Sequence, residues 1–260
     1  MSEGALHAAP RWRGAPLVLL LIAVAWALAV GAELTGGVQW VHHHDLLAER
    51  LPFTASLGLF LIAWQVHVAA MMLPSALPML AAFHRAAAGQ PRPQLARGIF
   101  LGGYVAVWTG FGLVALVGQA LVDGLLHDAV QRSGLLHGAV LVLAGTFQFS
   151  ALKDRCLEQC RHPRAFLLQH YRRGALAALR LGVRHGLFCV GCCWALMLVM
   201  FVVGIANLAW MAPLALLMLY EKAGRHGHRI VRPVGVGLIG LGLAILAGVG
   251  PLEGVVPHHH

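Results

Sequence analysis

Charged residues are scarce in this chain, and their scarcity excludes an ordinary soluble domain. Asp, Glu, Lys and Arg make up only 11% of the 260 residues, whereas soluble proteins contain about 25%. Acidic residues are the rarer group, with 10 against 19 Lys and Arg. Hydrophobic residues make up 59% and the mean hydropathy is +0.74. We therefore expect an all-α, polytopic transmembrane helix bundle that forms a single membrane domain over residues 1–260.

Motifs for the use of ATP are also missing. The chain has no glycine-rich Walker motif, no Asp-Lys-Thr-Gly phosphorylation site and no long soluble ATPase domain. Their absence excludes a pump driven by its own ATP hydrolysis. Any transport by this protein would be passive, coupled to another ion or driven by a partner.

Apolar runs long enough to cross a bilayer recur along the chain. We predict seven spans, at residues 15–32, 53–83, 95–122, 134–152, 186–206, 208–220 and 231–249. The sixth span is short and contains Pro213, so six spans and a hairpin are the alternative.

The basic residues predict the orientation of these spans. With seven spans, all the Lys and Arg residues except Arg50 and Arg132 fall on one side. By the positive-inside rule that side is cytoplasmic, with the N-terminus inside and the C-terminus outside. The net charge of +9 is then explained without nucleic acid.

The longest polar stretch, residues 153–184, becomes a cytoplasmic loop, with an amphipathic helix at 165–181 facing anionic lipid headgroups. The outer loop at 33–52 contains His42, His43 and His44.

Three of the five cysteines fall within five residues at the start of the fifth predicted span. Cys189 and Cys193 lie one above the other on a helix, and Cys192 borders the same stripe. Met197 continues that stripe further into the span. Thiols and thioethers are soft ligands that suit Cu(I). The pattern therefore predicts a soft-metal site on a buried helix face.

The second predicted span offers further ligands near the same depth. His67 and Met71 share one helical stripe with Trp64, and Met72 and Met79 lie on a neighbouring stripe. Polar residues inside a span are costly, which makes His67 a functional candidate. The alternative is that the methionines pack the core and His67 bonds a carbonyl group. We predict that Met72 or Met79 contacts the cysteine face.

A further pair, Cys156 and Cys160, lies at the predicted inner end of the fourth span. Their spacing of four residues lets two thiolates reach one ion, and flanking arginines favour the thiolate form. The reducing cytosol argues against structural disulfides. Zinc is an alternative metal, and plain packing is an alternative role for buried cysteine.

Glu221 and Lys222, which close the sixth span, are expected to form an interfacial ion pair.

Taken together, these motifs resemble a bacterial family described as predicted metal-binding integral membrane proteins, a domain of unknown function. The resemblance covers residues 57–222. It rests on Trp64, Met71-Met72-Leu73-Pro74-Ser75, Pro78-Met79, Gly103-Tyr104, Trp108, Gln148, Lys153, Cys156, Cys160, Cys189-Val190-Gly191-Cys192-Cys193-Trp194, Met197, Asn207 and Glu221-Lys222. It implies metal ligation by the five cysteines together with Met71, Met72 and Met79, in a multi-pass protein of the bacterial inner membrane.

Three functions are consistent with these observations. The first is transport or delivery of a soft metal, Cu(I) above all, with a metal-donor or metal-acceptor protein as partner. The second is a membrane thiol enzyme that uses Cys189, Cys192 and Cys193 in redox, acyl-transfer or sulfur-transfer chemistry. The third is a structural subunit of a larger membrane complex. The sequence does not decide whether the protein is an enzyme, and it does not give the direction of transport or the oligomeric state.

Overall fold

The structure is a computed structural model that describes residues 15–35, 52–131, 134–203 and 207–248. These residues form helices and no strand, which confirms the all-α class. In chain order the helices are α1 (Ala15–Leu34), α2 (Phe53–Ala86, extended by a 3-10 turn at Ala87–Gly89), α3 (Pro93–Gln131), α4 (Leu135–Phe147), α5 (Ala151–Arg161), α6 (Pro163–His170), α7 (Ala175–Val203), α8 (Leu208–Ala223) and α9 (Gly227–Leu246). The outer-loop histidines His42–His44 and the terminal His258–His260 lie outside the described residues.

Several of these helices are long and apolar enough to cross a membrane. Five described segments qualify: Pro16–Leu34, Phe53–Gly89, Pro93–Val122, Ala175–Met200 and Gly227–Leu246. Helices α4 and α5 qualify together as a broken span bent by 66°. The predicted sixth span corresponds to α8, whose 16 residues extend about 24 Å, less than the roughly 30 Å of a hydrocarbon core. The described helices thus support five spans, or six with the bent pair, and the count of seven stays a prediction.

Helix α2 continues through two prolines, Pro74 and Pro78, and a backbone carbonyl freed by the first has another partner. Pro74 has no N–H to donate to the carbonyl of Ala70, four residues earlier. The indole N–H of Trp26 on α1 donates to that carbonyl instead, at 3.1 Å. This bond compensates for the N–H that Pro74 lacks, before α2 reaches the second proline at 78 in the segment that carries its methionines.

The bend between α4 and α5 orients the second pair of cysteines. After α4 ends at Phe147, the chain turns and Ser150 caps α5, its hydroxyl accepting from the backbone N–H of Lys153 at 3.1 Å. Helix α4 itself packs closely against α9. A Cβ added to Gly145 would lie 2.6 Å from the carbonyl oxygen of Gly235, so glycine is needed at this crossing. The turn then directs α5 away from α4 and against α7.

The residues predicted to form one amphipathic helix, 165–181, are divided between two helices. Helix α6 ends at His170 and α7 begins at Ala175. Between them Gly174 has a φ of 107°, a backbone conformation that glycine adopts without the strain a Cβ causes. The position of these helices at the cytoplasmic headgroups stays a prediction.

Helix α7 begins well before the predicted fifth span at residue 186. Arg180 and Arg184 interrupt the apolar run, but arginine favours helix and does not interrupt the helix itself. The 29 residues of α7 extend about 44 Å, more than a bilayer needs. The helix can therefore tilt or project beyond the hydrocarbon.

Helix α3 allows a direct test of the orientation. Its 39 residues extend about 58 Å, nearly twice a ~30 Å hydrocarbon core, and we expect its two ends on opposite sides of the membrane. We expect a reporter fused after Arg92 to be cytoplasmic and one fused after Gln131 to be external. Paired fusions to a fluorescent protein and to a phosphatase that is active only outside the cytoplasm would measure this. Finding both positions on one side would overturn the predicted topology.

Candidate metal centre

All five cysteines lie on two helices that pack against each other. Helix α5 carries Cys156 and Cys160, and α7 carries Cys189, Cys192 and Cys193. Each of the five is buried and none is in a disulfide. Five thiols are therefore enclosed within one part of the bundle.

The contact between α5 and α7 brings together two cysteine motifs that are separate in the sequence. The Sγ atoms of Cys160 and Cys192 are 4.0 Å apart. Cys156 lies directly over the backbone of α7, where a Cβ added to Gly191 would come within 2.6 Å of its Sγ atom. The absence of a Cβ at Gly191 thus leaves room for the Cys156 side chain. The cysteines form a single cluster because the bend before α5 turns its thiols toward α7.

Helix α2 contributes a thioether to this cluster. The Sδ atom of Met72 lies 3.7 Å from the Sγ atom of Cys193, and Met72 is fully buried. The prediction that Met72 or Met79 contacts the cysteine face is confirmed for Met72. The sulfur groups of the site therefore come from α2, α5 and α7.

The other predicted methionines differ in where they lie. Met71 and Met197 are fully buried in the same hydrophobic core as the cysteines. Met79 instead belongs to a second hydrophobic cluster, with Phe83 and Phe100. Met79 thus belongs to a cluster that contains none of the five cysteines.

His67 is buried and packs by its ring. Its imidazole stacks on the indole of Trp64, with centroids 5.8 Å apart. Its Nε2 atom has no hydrogen-bond partner among the described residues. The alternative role given to His67, a hydrogen bond to a carbonyl, is therefore not made by Nε2. His67 lies one helical turn before Met71 on the same stripe.

A buried lysine from α8 lies among the sulfur atoms. The Nζ atom of Lys222 is 3.1 Å from the Sγ atom of Cys189, 3.8 Å from that of Cys193 and 3.9 Å from the Sδ atom of Met72. It also donates to the hydroxyl of Ser75 at 3.2 Å. The ammonium group thus contacts sulfur atoms from both α2 and α7.

Tyr104 of α3 completes the surroundings of Cys189. Its hydroxyl lies 3.2 Å from the Cys189 Sγ atom, within hydrogen-bond reach. The ring of Tyr104 stacks on that of His185, with centroids 5.6 Å apart. Cys189 therefore has a hydroxyl group and an ammonium group as neighbours, both able to stabilise negative charge on sulfur.

Glu221 pairs with Lys153 and not with its sequence neighbour. The Lys153 Nζ atom lies 2.7 Å from Glu221 Oε2, and the two side chains are 0% and 2% exposed. The amide of Gln148 donates to the other carboxylate oxygen at 3.3 Å. The expectation of an interfacial Glu221–Lys222 pair was therefore wrong, because α5 brings Lys153 to the carboxylate. Lys153, placed in the predicted polar loop, is fully buried.

Arg161 fixes the end of α8 against α5. Its guanidinium donates to the backbone carbonyl of Glu221 and, at 3.0 Å, to that of Gly224. These carbonyls lie at the C-terminus of α8, where a cation also interacts favourably with the helix dipole. Helix α5 thus holds both the cysteine pair and the segment that carries Lys222.

Within each of two sulfur pairs, the spacing is short enough for both atoms to bind one metal ion. Two ligands at about 2.3 Å from an ion lie at most about 4.6 Å apart. The Cys193–Met72 and Cys160–Cys192 sulfur pairs, at 3.7 and 4.0 Å, are within that limit. Each pair supplies two ligands, and no three His, Cys, Asp or Glu side chains in the described part of the chain are placed to hold an ion.

The thiols are instead engaged with the backbone. Those of Cys192 and Cys193 donate to the carbonyl of Cys189, at 3.1 and 2.7 Å. A metal that binds both must replace these hydrogen bonds. Each of these two buried thiols therefore has a hydrogen-bond partner within the protein.

Sequence reasoning missed Lys153, Lys222 and Tyr104 as parts of the site. One signal could have found the lysines. They are the only two lysines among 19 Lys and Arg residues, and both accompany motifs of the metal-binding resemblance. Both lysines are buried, whereas every other basic residue of the chain, apart from histidine, is an arginine. Tyr104 also belongs to the motifs of that resemblance, but its proximity to Cys189 depends on how α3 packs against α7.

Comparisons with known proteins identify the family of the chain. Comparison with the curated proteins gives no match, and comparison with the solved structures gives none. A family model described as "PpoB2: Copper chaperone" matches residues 61–245, more than two thirds of the chain and every residue of the sulfur cluster. The chain belongs to the PpoB2 copper chaperone family.

Proposed function

We propose that this protein is a membrane copper chaperone that binds Cu(I) within its helix bundle and passes it to an acceptor protein. The observation that carries the proposal is the convergence of Met72 and five buried cysteines from three helices. Membership in a copper chaperone family supports the same conclusion. The bundle would lie in the bacterial inner membrane, with the sulfur cluster toward its cytoplasmic side.

The chemistry of the ligands favours Cu(I) over zinc. Structural zinc sites use cysteine and histidine, whereas thioethers are ligands of softer ions. The Met72 thioether lies in direct contact with Cys193, inside the set of atoms that would bind the ion. The buried, disulfide-free state of all five cysteines also suits the reduced form of copper.

Delivery is a better account of this architecture than pumping. The sequence has no ATP-binding motif, so the ion would move down a gradient of affinity to another protein. The family description names a chaperone and agrees with this role. It also favours copper handling over the two alternatives, a thiol enzyme and a purely structural subunit.

Two methionines of α2 provide a matched test of the site. We expect Met72→Leu to weaken Cu(I) binding by about tenfold or more, because it removes a thioether ligand. Met79→Leu should leave the affinity unchanged, since Met79 lies in the second hydrophobic cluster. Met and Leu have similar volumes, so both changes preserve packing to within about 1.5 kcal/mol.

The measurement is anaerobic competition for Cu(I) with a chromophoric chelator, on protein purified in detergent. Failure of the unmodified protein to bind Cu(I) would reject the proposed function. Equal affinities for the two variants would remove Met72 from the binding site, while copper binding itself would stand.

A further inference from the structure

The position of Lys222 is the least expected feature of the sulfur cluster. Its ammonium group lies within 3.9 Å of the sulfur atoms of Cys189, Cys193 and Met72. Lys222 is only 6% exposed. The positive charge of Lys222 thus lies among the same atoms that would bind Cu(I).

The charges around Lys222 are not balanced by a carboxylate. Within the described residues, Lys222 has no carboxylate partner, since Glu221 pairs with Lys153. A buried ammonium group is costly unless an opposite charge compensates it. The nearest group that can carry negative charge is the Cys189 thiol, which Tyr104 also contacts at 3.2 Å. Lys222 and a Cys189 thiolate together form a neutral pair.

We propose that Lys222 is an internal cation that exchanges with Cu(I). When Cu(I) enters, it forms bonds to the sulfur atoms, and the hydrogen bonds from the Lys222 ammonium group to sulfur are broken. When the ion leaves, the ammonium group returns. Both cations carry a single positive charge, so replacing the ammonium group by Cu(I) beside the Cys189 thiolate leaves the charge at that sulfur balanced. No electron is transferred, and each further thiol that binds the ion, such as that of Cys193, releases its proton to solvent.

The side chain and its setting suit such an exchange. Lysine carries a compact charge on a flexible four-carbon stem, so the ammonium group can move while the backbone of α8 stays in place. The backbone is held by Arg161, which donates to the carbonyls of Glu221 and Gly224. The neutral hydroxyl of Ser75, at 3.2 Å, accepts from the ammonium group in the copper-free state.

The inference rests on the proposed function and deepens it. A chaperone must bind its ion and also release it, and a tethered competitor supplies release without any energy source. The cation competes with copper at a fixed local concentration because it is part of the chain. Lys222 therefore lowers the affinity for Cu(I) and accelerates transfer to the acceptor.

Neutral substitutions of Lys222 test this inference. We expect Lys222→Leu and Lys222→Gln each to bind Cu(I) at least about tenfold more tightly than the unmodified protein, because the competing charge is gone. Transfer of Cu(I) to a chelator in excess should be slower by a similar factor. Arg225→Gln is the matched control, since Arg225 is an exposed cation three residues away. It should behave as the unmodified protein does.

The outcomes separate the two proposals. If the unmodified protein binds no Cu(I), the proposed function fails. If it binds Cu(I) but both Lys222 variants bind with equal or lower affinity, the exchange inference fails and the proposed function stands.

Chemical labelling of the unmodified protein tests the exchange without a substitution. Lys153 and Lys222 are the only lysines in the chain, so reductive methylation with formaldehyde and dimethylamine–borane reports on both by mass spectrometry. We expect Cu(I) to raise the methylation rate of Lys222 at least fivefold, because the ammonium group leaves the sulfur atoms. Lys153 should be unaffected, since Glu221 holds it. An unchanged rate for Lys222 would overturn the inference.

Discussion

A protein in which Cys189, Cys192 and Cys193 are all replaced by serine should lose stoichiometric binding of Cu(I). Hydroxyl oxygen is a hard ligand and a poor substitute for thiolate at a soft ion. The protein should still fold, because serine can donate to the Cys189 carbonyl in place of the thiols of Cys192 and Cys193. Its stability should be lower, because the Lys222 ammonium group loses the Cys189 sulfur as its partner. Copper content after anaerobic loading and gel filtration measures the first effect, and circular dichroism in detergent measures the second.

The second cysteine pair extends this experiment. If α5 and α7 form one centre, replacing Cys156 and Cys160 with serine should also weaken Cu(I) binding, because Cys160 lies 4.0 Å from Cys192. Full copper binding by the triple-serine protein would show that the α7 thiols are packing or redox groups. Normal affinity without Cys156 and Cys160 would restrict the centre to α2 and α7.

The sequence was sufficient to predict the helical class and the contact between Met72 and the cysteine face. Apolar composition predicts the helices, and helical periodicity predicts which residues share a stripe. The contact was predicted from a further observation, the similar depth of the two motifs in their spans. The number of spans was harder to predict, because α8 is apolar but short and α5 is polar but packed inside.

Only some of the residues that form the site could be predicted from the sequence. A spacing of three or four residues identifies which cysteines share a face of one helix, but it carries no information about which helices meet. The union of Cys156 and Cys160 with the α7 thiols depends on the bend of 66° between α4 and α5. Likewise, Glu221 pairs with Lys153 from another helix, and Lys222 contacts sulfur atoms of α2 and α7.

Helix α5 connects the proposed metal ligands to the buried charges at the end of α8. One face supplies Cys156 and Cys160, while Lys153 and Arg161 bind the end of α8. A change in the position of α5 would therefore move the thiols and Lys222 together. The Lys153–Glu221 ion pair consequently matters for the geometry of the sulfur cluster even though neither residue is a metal ligand.

Replacing Glu221 with glutamine should destabilise the protein by about 3–5 kcal/mol, the range measured when one member of a buried ion pair is removed. The change keeps the size of the side chain and its amide can still bond Gln148. It leaves the ammonium group of Lys153, which is 0% exposed, without a compensating charge. Lys153→Met should be similarly destabilising, because it leaves the carboxylate of Glu221 buried and unpaired. Reversible unfolding by SDS in mixed micelles gives the free energy of unfolding.

The double variant Lys153→Met with Glu221→Gln distinguishes charge from packing. It removes both charges at once, and buried ion pairs replaced by neutral groups of similar size often cost little. Its free energy of unfolding should therefore lie closer to that of the unmodified protein than either single variant does. A double variant as unstable as the sum of the two singles would mean that the pair contributes through packing contacts, since independent losses add. Recovery of stability in the double variant would show that the bundle requires balanced charge at the junction of α5 and α8.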